Sequence, residues 1–284
     1  MSAKSFRQRF GEVWKSSRAG AVVCVVLLSV LAVACGQKEK GTAVEPNAPA
    51  SSGEQTSATS AGSGYQIETV ASGGMIAGVV RLKGKVPPAR IIPVQQDAQV
   101  CGQRRTVYPV RVVGGGIVDA VVWIDDIQRG KAYDFPKPVL DQKDCEYVPH
   151  VLVMQPGDLT VISSDPMPHN VHTYPTANPT ANENMNPLVR TVTLHLGRPD
   201  IVSVKCDLHG WMQAYVVVAK NPYYAVTGPG GRFELRDVPA GHYRLKVWQE
   251  TLGTGEQDVE VRPGETTRVE FVLTSSEQQA AEVH

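Results

Sequence analysis

The sequence has no excess of charge of either sign, since its 284 residues include 28 Lys and Arg and 28 Asp and Glu. A chain without net charge has no general attraction to nucleic acid or to anionic lipid, so we expect no nucleic-acid partner. The sequence also has no long amphipathic stretch of helical periodicity, whereas glycine (26) and proline (20) are plentiful. This composition is typical of short strands joined by turns, and it predicts an all-β chain.

The first 35 residues have the pattern of an export signal. Basic residues open the chain, and an apolar run then extends from Ala19 to Ala34 and ends at Cys35. The run is short for a membrane span but suits a secretory signal. Residues 31–36, Leu-Ala-Val-Ala-Cys-Gly, resemble the lipobox of bacterial lipoproteins, which implies a signal peptide over 1–35 and a lipid on Cys35. An uncleaved anchor helix ending near Cys35 is the alternative.

Both alternatives place the rest of the chain outside the cytoplasm, in a bacterial cell envelope and facing the periplasm. Gly36 after the cysteine resembles the pattern of lipoproteins sent to the outer membrane. Residues 36–73 are rich in Ala, Ser, Gly, Thr, Pro and Glu and have few large apolar side chains. Such a segment cannot bury enough surface to order itself, so it is predicted to be a disordered linker between the lipid and a folded part.

Two short stretches combine residues that bind metals. His169 and Asn170 follow a strand pattern over residues 157–162, and a second stretch has the pattern Cys-x-x-His-x-x-Met. A thiolate, two imidazoles and a distant thioether are the ligand set of mononuclear electron-transfer copper, since sulfur favours Cu(I) and imidazole accepts Cu(II). The candidate ligands are His169, Cys206, His209 and Met212. The cofactor we predict is one copper ion that alternates between Cu(I) and Cu(II).

These stretches resemble the ligand loops of cupredoxins, the blue copper proteins of the amicyanin and plastocyanin type. The resemblance covers roughly residues 135–220 and implies a Greek-key β-sandwich with the same four ligands. It also implies that Asn170 links the two ligand loops by hydrogen bonds. We interpret Trp211, inside the second loop, as a side chain that packs around the site. His172 should point away from the metal, because it lies three residues after His169 in an extended chain. His150 opens a strand and is interpreted as structural.

The use of the five cysteines follows from these assignments. Cys24 lies in the signal, Cys35 is the lipid acceptor, and Cys206 is assigned to copper. Thiols tend to pair in an oxidising compartment. By elimination, Cys101 and Cys145 are predicted to form a disulfide.

A second resemblance comes from the later part of the chain. Residues 227–243 contain a Gly-x-Phe strand and a Val-Pro-x-Gly-x-Tyr turn, and they resemble carboxypeptidase regulatory-like domains of the transthyretin type. In that family two strands come earlier, and here these would be residues 75–82 and 118–124. We therefore expect the copper domain to be inserted in one regulatory-like β-sandwich. A tandem arrangement, with the copper domain beginning near residue 75, is the alternative.

The expected order of parts is a signal peptide (1–35), a linker (36–73), the first part of the regulatory-like sandwich (74–134), the copper domain (135–220), the remainder of that sandwich (221–274) and a tail (275–284). No acid–base pair or activated nucleophile accompanies the copper ligands, and they leave no open position for a substrate, so we expect no enzyme.

The function that we expect is electron transfer by a membrane-anchored protein, with a periplasmic cytochrome or dehydrogenase as redox partner. Copper storage, delivery or resistance is an alternative, although the sequence has no Met repeat or His tract. A carbohydrate-binding or interaction module that holds structural copper is a second alternative.

Overall fold

The structure is a computed structural model, and it describes residues 64–275. The predicted signal peptide with Cys35, residues 36–63 of the predicted linker and residues 276–284 of the tail lie outside the described residues. The prediction of a disordered linker is wrong at its end, because Gln66–Ile67 form a strand that pairs with Arg129–Gly130 and Tyr65 is buried in the core. Strands dominate the described part, as the composition predicts. Between residues 64 and 275, no helix is long and apolar enough to cross a membrane.

Three groups of elements follow one another along the chain. The first contains β1 (Gln66–Ile67), β2 (Gly74–Lys83), β3 (Arg90–Pro93), helix α1 (Ala98–Cys101), β4 (Arg104–Val107), β5 (Val112–Val113), β6 (Gly116–Ile117), β7 (Val121–Ile124) and β8 (Arg129–Gly130). The second contains β9 (Val139–Lys143), β10 (Glu146–Val148), β11 (Val151–Met154), β12 (Gly157–Ser163), β13 (His169–Tyr174), β14 (Asn182–Met185), β15 (Thr191–Leu196), β16 (Asp200–Lys205) and β17 (Gln213–Val218). The third contains β18 (Tyr224–Val226), a 3-10 turn (Pro229–Gly231), β19 (Arg232–Val238), β20 (Gly241–Gln249), β21 (Gly253–Val261) and β22 (Thr266–Thr274).

The first sandwich is built from the first and third groups. One of its sheets has the order β19-β2-β22, and the other has the order β18-β7-β20-β21. β2 is antiparallel to β19 and parallel to β22, and β7 is antiparallel to β18 and β20. Strands from before residue 135 therefore share both sheets with strands from after residue 221. The exact domain boundaries stay predictions.

The alternating sequence of β22 shows why these segments form half-buried strands. Val269, Phe271 and Leu273 point into the core, while the residues between them, such as Glu270, face solvent. Successive side chains of a strand point to opposite faces, so this pattern suits a sheet that covers a core on one side. Side chains of both sheets form one buried cluster, which includes Ile76, Val122, Leu235, Leu245 and Phe271.

The predicted strand over residues 118–124 is wrong in its first part. The structure places strand only over Val121–Ile124, after a break at Asp119. Asp119 has a positive φ of 65°, which an extended strand does not allow. Its backbone N–H donates to the carbonyl of Thr227, and the Thr227 hydroxyl accepts from the N–H of Ala120. Hydrogen bonds to a distant segment therefore bend the chain where its apolar sequence favours a strand.

The second sandwich is built from the second group alone. One sheet has the order β10-β9-β12-β15, and the other has the order β11-β17-β16-β13-β14. A second core cluster lies between the sheets and includes Leu140, Leu159, Val171, Val204 and Val216. A smaller apolar cluster around Val121, Val151 and Val217 contains side chains from both sandwiches.

Candidate metal centre

Three adjacent strand ends bring the predicted ligands together. His169 begins β13, Cys206 directly follows β16, and Met212 directly precedes β17. β16 lies between β13 and β17 and is antiparallel to both. In antiparallel neighbours the start of one strand lies beside the end of the next. The sheet order therefore places His169 and Cys206, which are 37 positions apart in sequence, at the same end of the sheet.

The loop between β16 and β17 is closed by its own backbone. The N–H of Cys206 donates to the carbonyl of Met212, and the N–H of Met212 donates to the carbonyl of His209. All four predicted ligands are buried, with 2 % exposure or less, whereas Leu208 in the same loop is 45 % exposed. The loop therefore turns the side chains of its candidate ligands inward and its apolar Leu208 outward.

The donor atoms of the two histidines and the cysteine form a triangle. The two Nδ1 atoms of His169 and His209 lie 3.0 Å apart, and Cys206 Sγ lies 3.9 Å and 3.7 Å from them. With metal–nitrogen bonds of about 2.0 Å and a metal–sulfur bond of about 2.3 Å, a trigonal ion would hold the nitrogens about 3.5 Å apart and the sulfur about 3.7 Å from each. The two observed sulfur–nitrogen distances lie within about 0.2 Å of these values, and the two nitrogens lie about 0.5 Å closer together than expected. The His, Cys and His donors therefore suit copper in both type and arrangement.

Burial shifts the pKa values of two of these donors, His169 and Cys206. Burial lowers the pKa of His169, although its hydrogen bond to Asp165 acts in the opposite direction. Burial raises the pKa of the Cys206 thiol. A metal binds neutral imidazole and thiolate. His169 is thus held in the form that binds metal, whereas Cys206 must release its proton when a metal binds.

A carboxylate contacts the far nitrogen of each candidate histidine ligand. His169 Nε2 lies 2.9 Å from Asp165 Oδ2, and His209 Nε2 lies 3.1 Å from Asp97 Oδ2. A carboxylate on one ring nitrogen holds the proton there and leaves the other nitrogen free to bind metal. The sequence analysis missed both acidic residues. Asp165 lies only four residues before His169 and could have been suspected, but nothing in the sequence connects Asp97 to His209, 112 residues later.

Asn170 connects the two ligand stretches. Its Oδ1 accepts from the backbone N–H of Asp207, and its Nδ2 donates to the carboxylate of Asp207 and to Asn182. Asn170 therefore lies where it can hold the Cys206 loop against β13.

Trp211 donates from Nε1 to the carbonyl of Cys145, and its ring centre lies 5.1 Å from that of His209.

The remaining histidines near the site have partners of their own. His172 binds the carboxylate of Asp207 at 3.0 Å, and this hydrogen bond is the main cause that lowers the pKa of Asp207. His150 contacts the carbonyl of Gln213 and, at 2.8 Å, the carboxylate of Glu250. Neither ring belongs to the cluster of donor atoms around Cys206.

The cysteines of the described chain separate into a pair and a single residue. Cys101 and Cys145 are joined by a disulfide, and Cys206 is free and buried. The bond connects the end of α1 to the turn between β9 and β10. It therefore joins a segment of the first group of elements to the sandwich that holds the candidate ligands.

Comparison with known proteins gives one family match. The family described as "Carboxypeptidase regulatory-like domain" matches residues 211–274, which begin inside the ligand loop and extend through β22. No curated protein matches the chain.

Comparison with solved structures gives matches to copper proteins. A purple cupredoxin from Nitrosopumilus maritimus is 17 % identical, with 29 % of this chain and 99 % of that chain covered and a TM-score of 0.25. Amicyanin from Paracoccus versutus is 18 % identical, with 30 % and 86 % covered and a TM-score of 0.26. A proline-to-glycine mutant of amicyanin in its oxidised state is 26 % identical, with 29 % and 81 % covered and a TM-score of 0.26.

Two β-sandwiches therefore make up the described chain. One of them contains nearly all of the regulatory-like match. The other carries the cupredoxin-like ligand pattern, and its His, Cys and His donors meet in space. The predicted all-β combination of the two sandwiches is confirmed.

Proposed function

We propose that this protein is a mononuclear copper protein that transfers electrons outside the cytoplasm and is held at a membrane by a lipid on Cys35. The observation that carries the proposal is the buried triangle of His169 Nδ1, His209 Nδ1 and Cys206 Sγ. Copper bound there would alternate between Cu(I) and Cu(II). The proposed fourth ligand is Met212, which is buried at the end of the same loop.

The surrounding residues support a site that keeps one geometry. Asp165 and Asp97 hold the two imidazoles by their far nitrogens, and Asn170 holds the loop that carries Cys206. A fixed set of donors suits electron transfer, because little has to move when the charge on the metal changes. The absence of solvent exposure at the ligands supports a carrier over an enzyme, since an enzyme needs an open coordination position.

Two features support a location outside the cytoplasm. The lipobox-like residues 31–36 precede a linker-like segment. The Cys101–Cys145 disulfide suits an oxidising compartment. Wild-type protein should incorporate labelled palmitate in cells, and a Cys35→Ser variant should not, while its folded part still binds copper. A wild-type protein that incorporates no label would favour the uncleaved anchor helix.

The decisive experiment is an absorption spectrum of the purified full chain after addition of one equivalent of Cu(II). We expect an intense visible band from charge transfer between the Cys206 thiolate and copper. Cys206→Ser should abolish the band, whereas His172→Ala, whose ring is bound to Asp207 outside the donor triangle, should keep it. A folded wild-type protein that develops no such band would overturn the proposal.

A second measurement separates electron transfer from copper delivery. A carrier should show reversible one-electron reduction and retain Cu(I) when a chelator of moderate affinity is added. Rapid loss of Cu(I) to that chelator would instead favour copper handling. Partner cytochromes or dehydrogenases can then be screened by mixing the reduced protein with each candidate and recording the rate of reoxidation.

A further inference from the structure

A segment of the first group of elements lies against the copper-ligand loop. Residues 94–103, between β3 and β4, contain α1, and we call them the cover segment. The carboxylate of Asp97 lies 3.1 Å from His209 Nε2. Gln96 donates to the carbonyl of Leu208 at 2.6 Å. Two neighbouring side chains of the cover segment therefore bind two neighbouring residues of the loop.

Apolar packing continues the same contact. Val94 packs against the core cluster that contains Cys206 and Met212. His209 is fully buried, although it belongs to a loop whose preceding residue, Leu208, is exposed. The side chain of Asp97, which contacts His209 Nε2, is 29 % exposed, whereas the side chain of His209 is 0 % exposed. The cover segment is therefore what separates the ring of His209 from water on its Nε2 side.

The cover segment is tied to the copper-binding sandwich by a covalent bond. Cys101, at the end of α1, is joined to Cys145. Arg105 adds hydrogen bonds to the carbonyls of Cys101 and Asp144. The N–H of Cys145 donates to Asp165, which itself holds His169. One turn, at residues 144–145, thus connects the cover segment to the carboxylate on the other histidine ligand.

We propose that residues 94–103 form a disulfide-tethered cover over the copper ligand His209, in which Asp97 orients the imidazole and favours Cu(II) over Cu(I). The effect of Asp97 on the oxidation state of copper rests on the proposed copper function. Asp97 is a positioning residue: it holds the proton on Nε2 and so keeps Nδ1 free for the metal. Its negative charge, transmitted through the ligand ring, stabilises the more highly charged oxidation state.

The cover can be tested without copper by chemical modification. Diethyl pyrocarbonate modifies accessible imidazoles, and mass spectrometry locates the modified residues. In metal-free wild-type protein we expect His195, whose side chain is 74 % exposed, to react at least tenfold faster than His209. The double variant Cys101→Ser with Cys145→Ser should expose His209 and raise its rate towards that of His195. Equal rates for the two histidines in wild type, or full protection of His209 in a folded disulfide-free variant, would overturn the cover.

The electrostatic role can be tested by spectroelectrochemistry of the copper-loaded full chain. We expect Asp97→Asn to increase the ratio of Cu(I) to Cu(II) at a fixed potential by about tenfold, which corresponds to a rise in reduction potential of about 59 mV. Asp97→Glu should restore most of the wild-type value, because it keeps the charge. Asp158→Asn is the matched control, since Asp158 contacts the exposed His195.

The possible outcomes separate this proposal from the copper function. A ratio for Asp97→Asn within twofold of wild type would overturn the role of Asp97. Failure of the wild-type protein to bind copper, with His209 still protected from modification, would contradict the copper function and leave the cover supported. A purely structural role for Asp97 would change the stability of the variant without changing its potential, and that result too would contradict the proposal.

Discussion

Asp165 Oδ2 lies 2.9 Å from both His169 Nε2 and the backbone nitrogen of Cys145. Asp165 Oδ1 accepts a hydrogen bond from the backbone N–H of Asp144, with 2.8 Å between nitrogen and oxygen. One buried side chain therefore holds a candidate copper ligand and the turn that carries the disulfide. A group with this many partners in the interior is costly to replace, because each partner would be left without a hydrogen bond.

Asp165→Asn should weaken both copper binding and the fold. An amide has one acceptor oxygen where the carboxylate has two. Depending on which way the amide faces, either His169 and the N–H of Cys145 or the N–H of Asp144 loses its acceptor. We expect copper affinity to fall by about 10- to 100-fold, measured by competition with a chelator. The free energy of unfolding in urea should fall by about 1–3 kcal/mol. Asp158→Asn, which alters an exposed Asp–His pair, is the control and should change neither quantity appreciably. Equal copper affinities for the two variants would contradict this role.

Asn170→Ala should loosen the Cys206 loop. The substitution removes three hydrogen bonds of a side chain that is 3 % exposed, and it leaves the N–H of Asp207 without its acceptor. We expect the metal-free protein to lose about 1–3 kcal/mol of unfolding free energy and the copper-loaded protein to release its metal faster. Asn184→Ala is the matched control, because Asn184 pairs with Asn170 across β13 and β14 but is exposed. The interpretation fails if both variants unfold at the same urea concentration.

His150→Gln should remove a pH-dependent part of the stability. Burial by itself would lower the pKa of His150, but the hydrogen bond and charge of Glu250 outweigh it and raise the pKa. A pKa that is higher in the folded than in the unfolded protein stabilises the fold fully below the ordinary value of about 6.5. This contribution is lost as the pH rises through the raised value.

The measurement is urea unfolding of wild type and His150→Gln between about pH 6 and about pH 9. The advantage of the wild type should be largest at the acidic end and shrink towards the alkaline end. Glu250→Gln should remove the same pH dependence, since it takes away the partner. A difference between wild type and His150→Gln that stays constant over this range would contradict the assignment.

Gly116→Ala should disrupt the first sandwich. A Cβ at Gly116 would overlap the backbone of Gly230 and Gly231, and backbone atoms cannot move aside as a flexible side chain can. We expect a loss of about 1–3 kcal/mol or more, typical of overpacking, seen as a lower temperature of thermal unfolding. Gly228→Ala is the control, because no atom lies within 4 Å of its added Cβ. It should change stability by no more than about 0.5 kcal/mol, and a comparable loss for both variants would count against the packing argument.

Much of the candidate site could be predicted from sequence because copper chemistry restricts both residue type and spacing. Cys206, His209 and Met212 lie within one short loop, so their proximity needs no knowledge of the fold. The period-two alternation of β20 and β22 likewise predicts strands, since it is produced by local pleating of the chain. These features depend on neighbours a few residues apart.

Features that depend on distant neighbours could not be predicted in this way. The break at Asp119 depends on Thr227, and the burial of His209 depends on Asp97. Both contacts join segments more than 100 residues apart, and the residues involved carry no local signal. Asp97 in particular is indistinguishable in the sequence from any other polar residue in a turn.

The amino-acid sequence by itself determined the all-β class, the candidate ligands and the short loop that carries three of them, because each follows from local periodicity or from the chemistry of a few neighbouring side chains. Only the tertiary structure decided that His169 meets this loop, that Asp165 and Asp97 orient the two imidazoles, and that a disulfide-tethered segment covers His209. Those relationships arise when strands and turns far apart in the chain pack together, and hydrogen bonds across such distances form only in the folded protein.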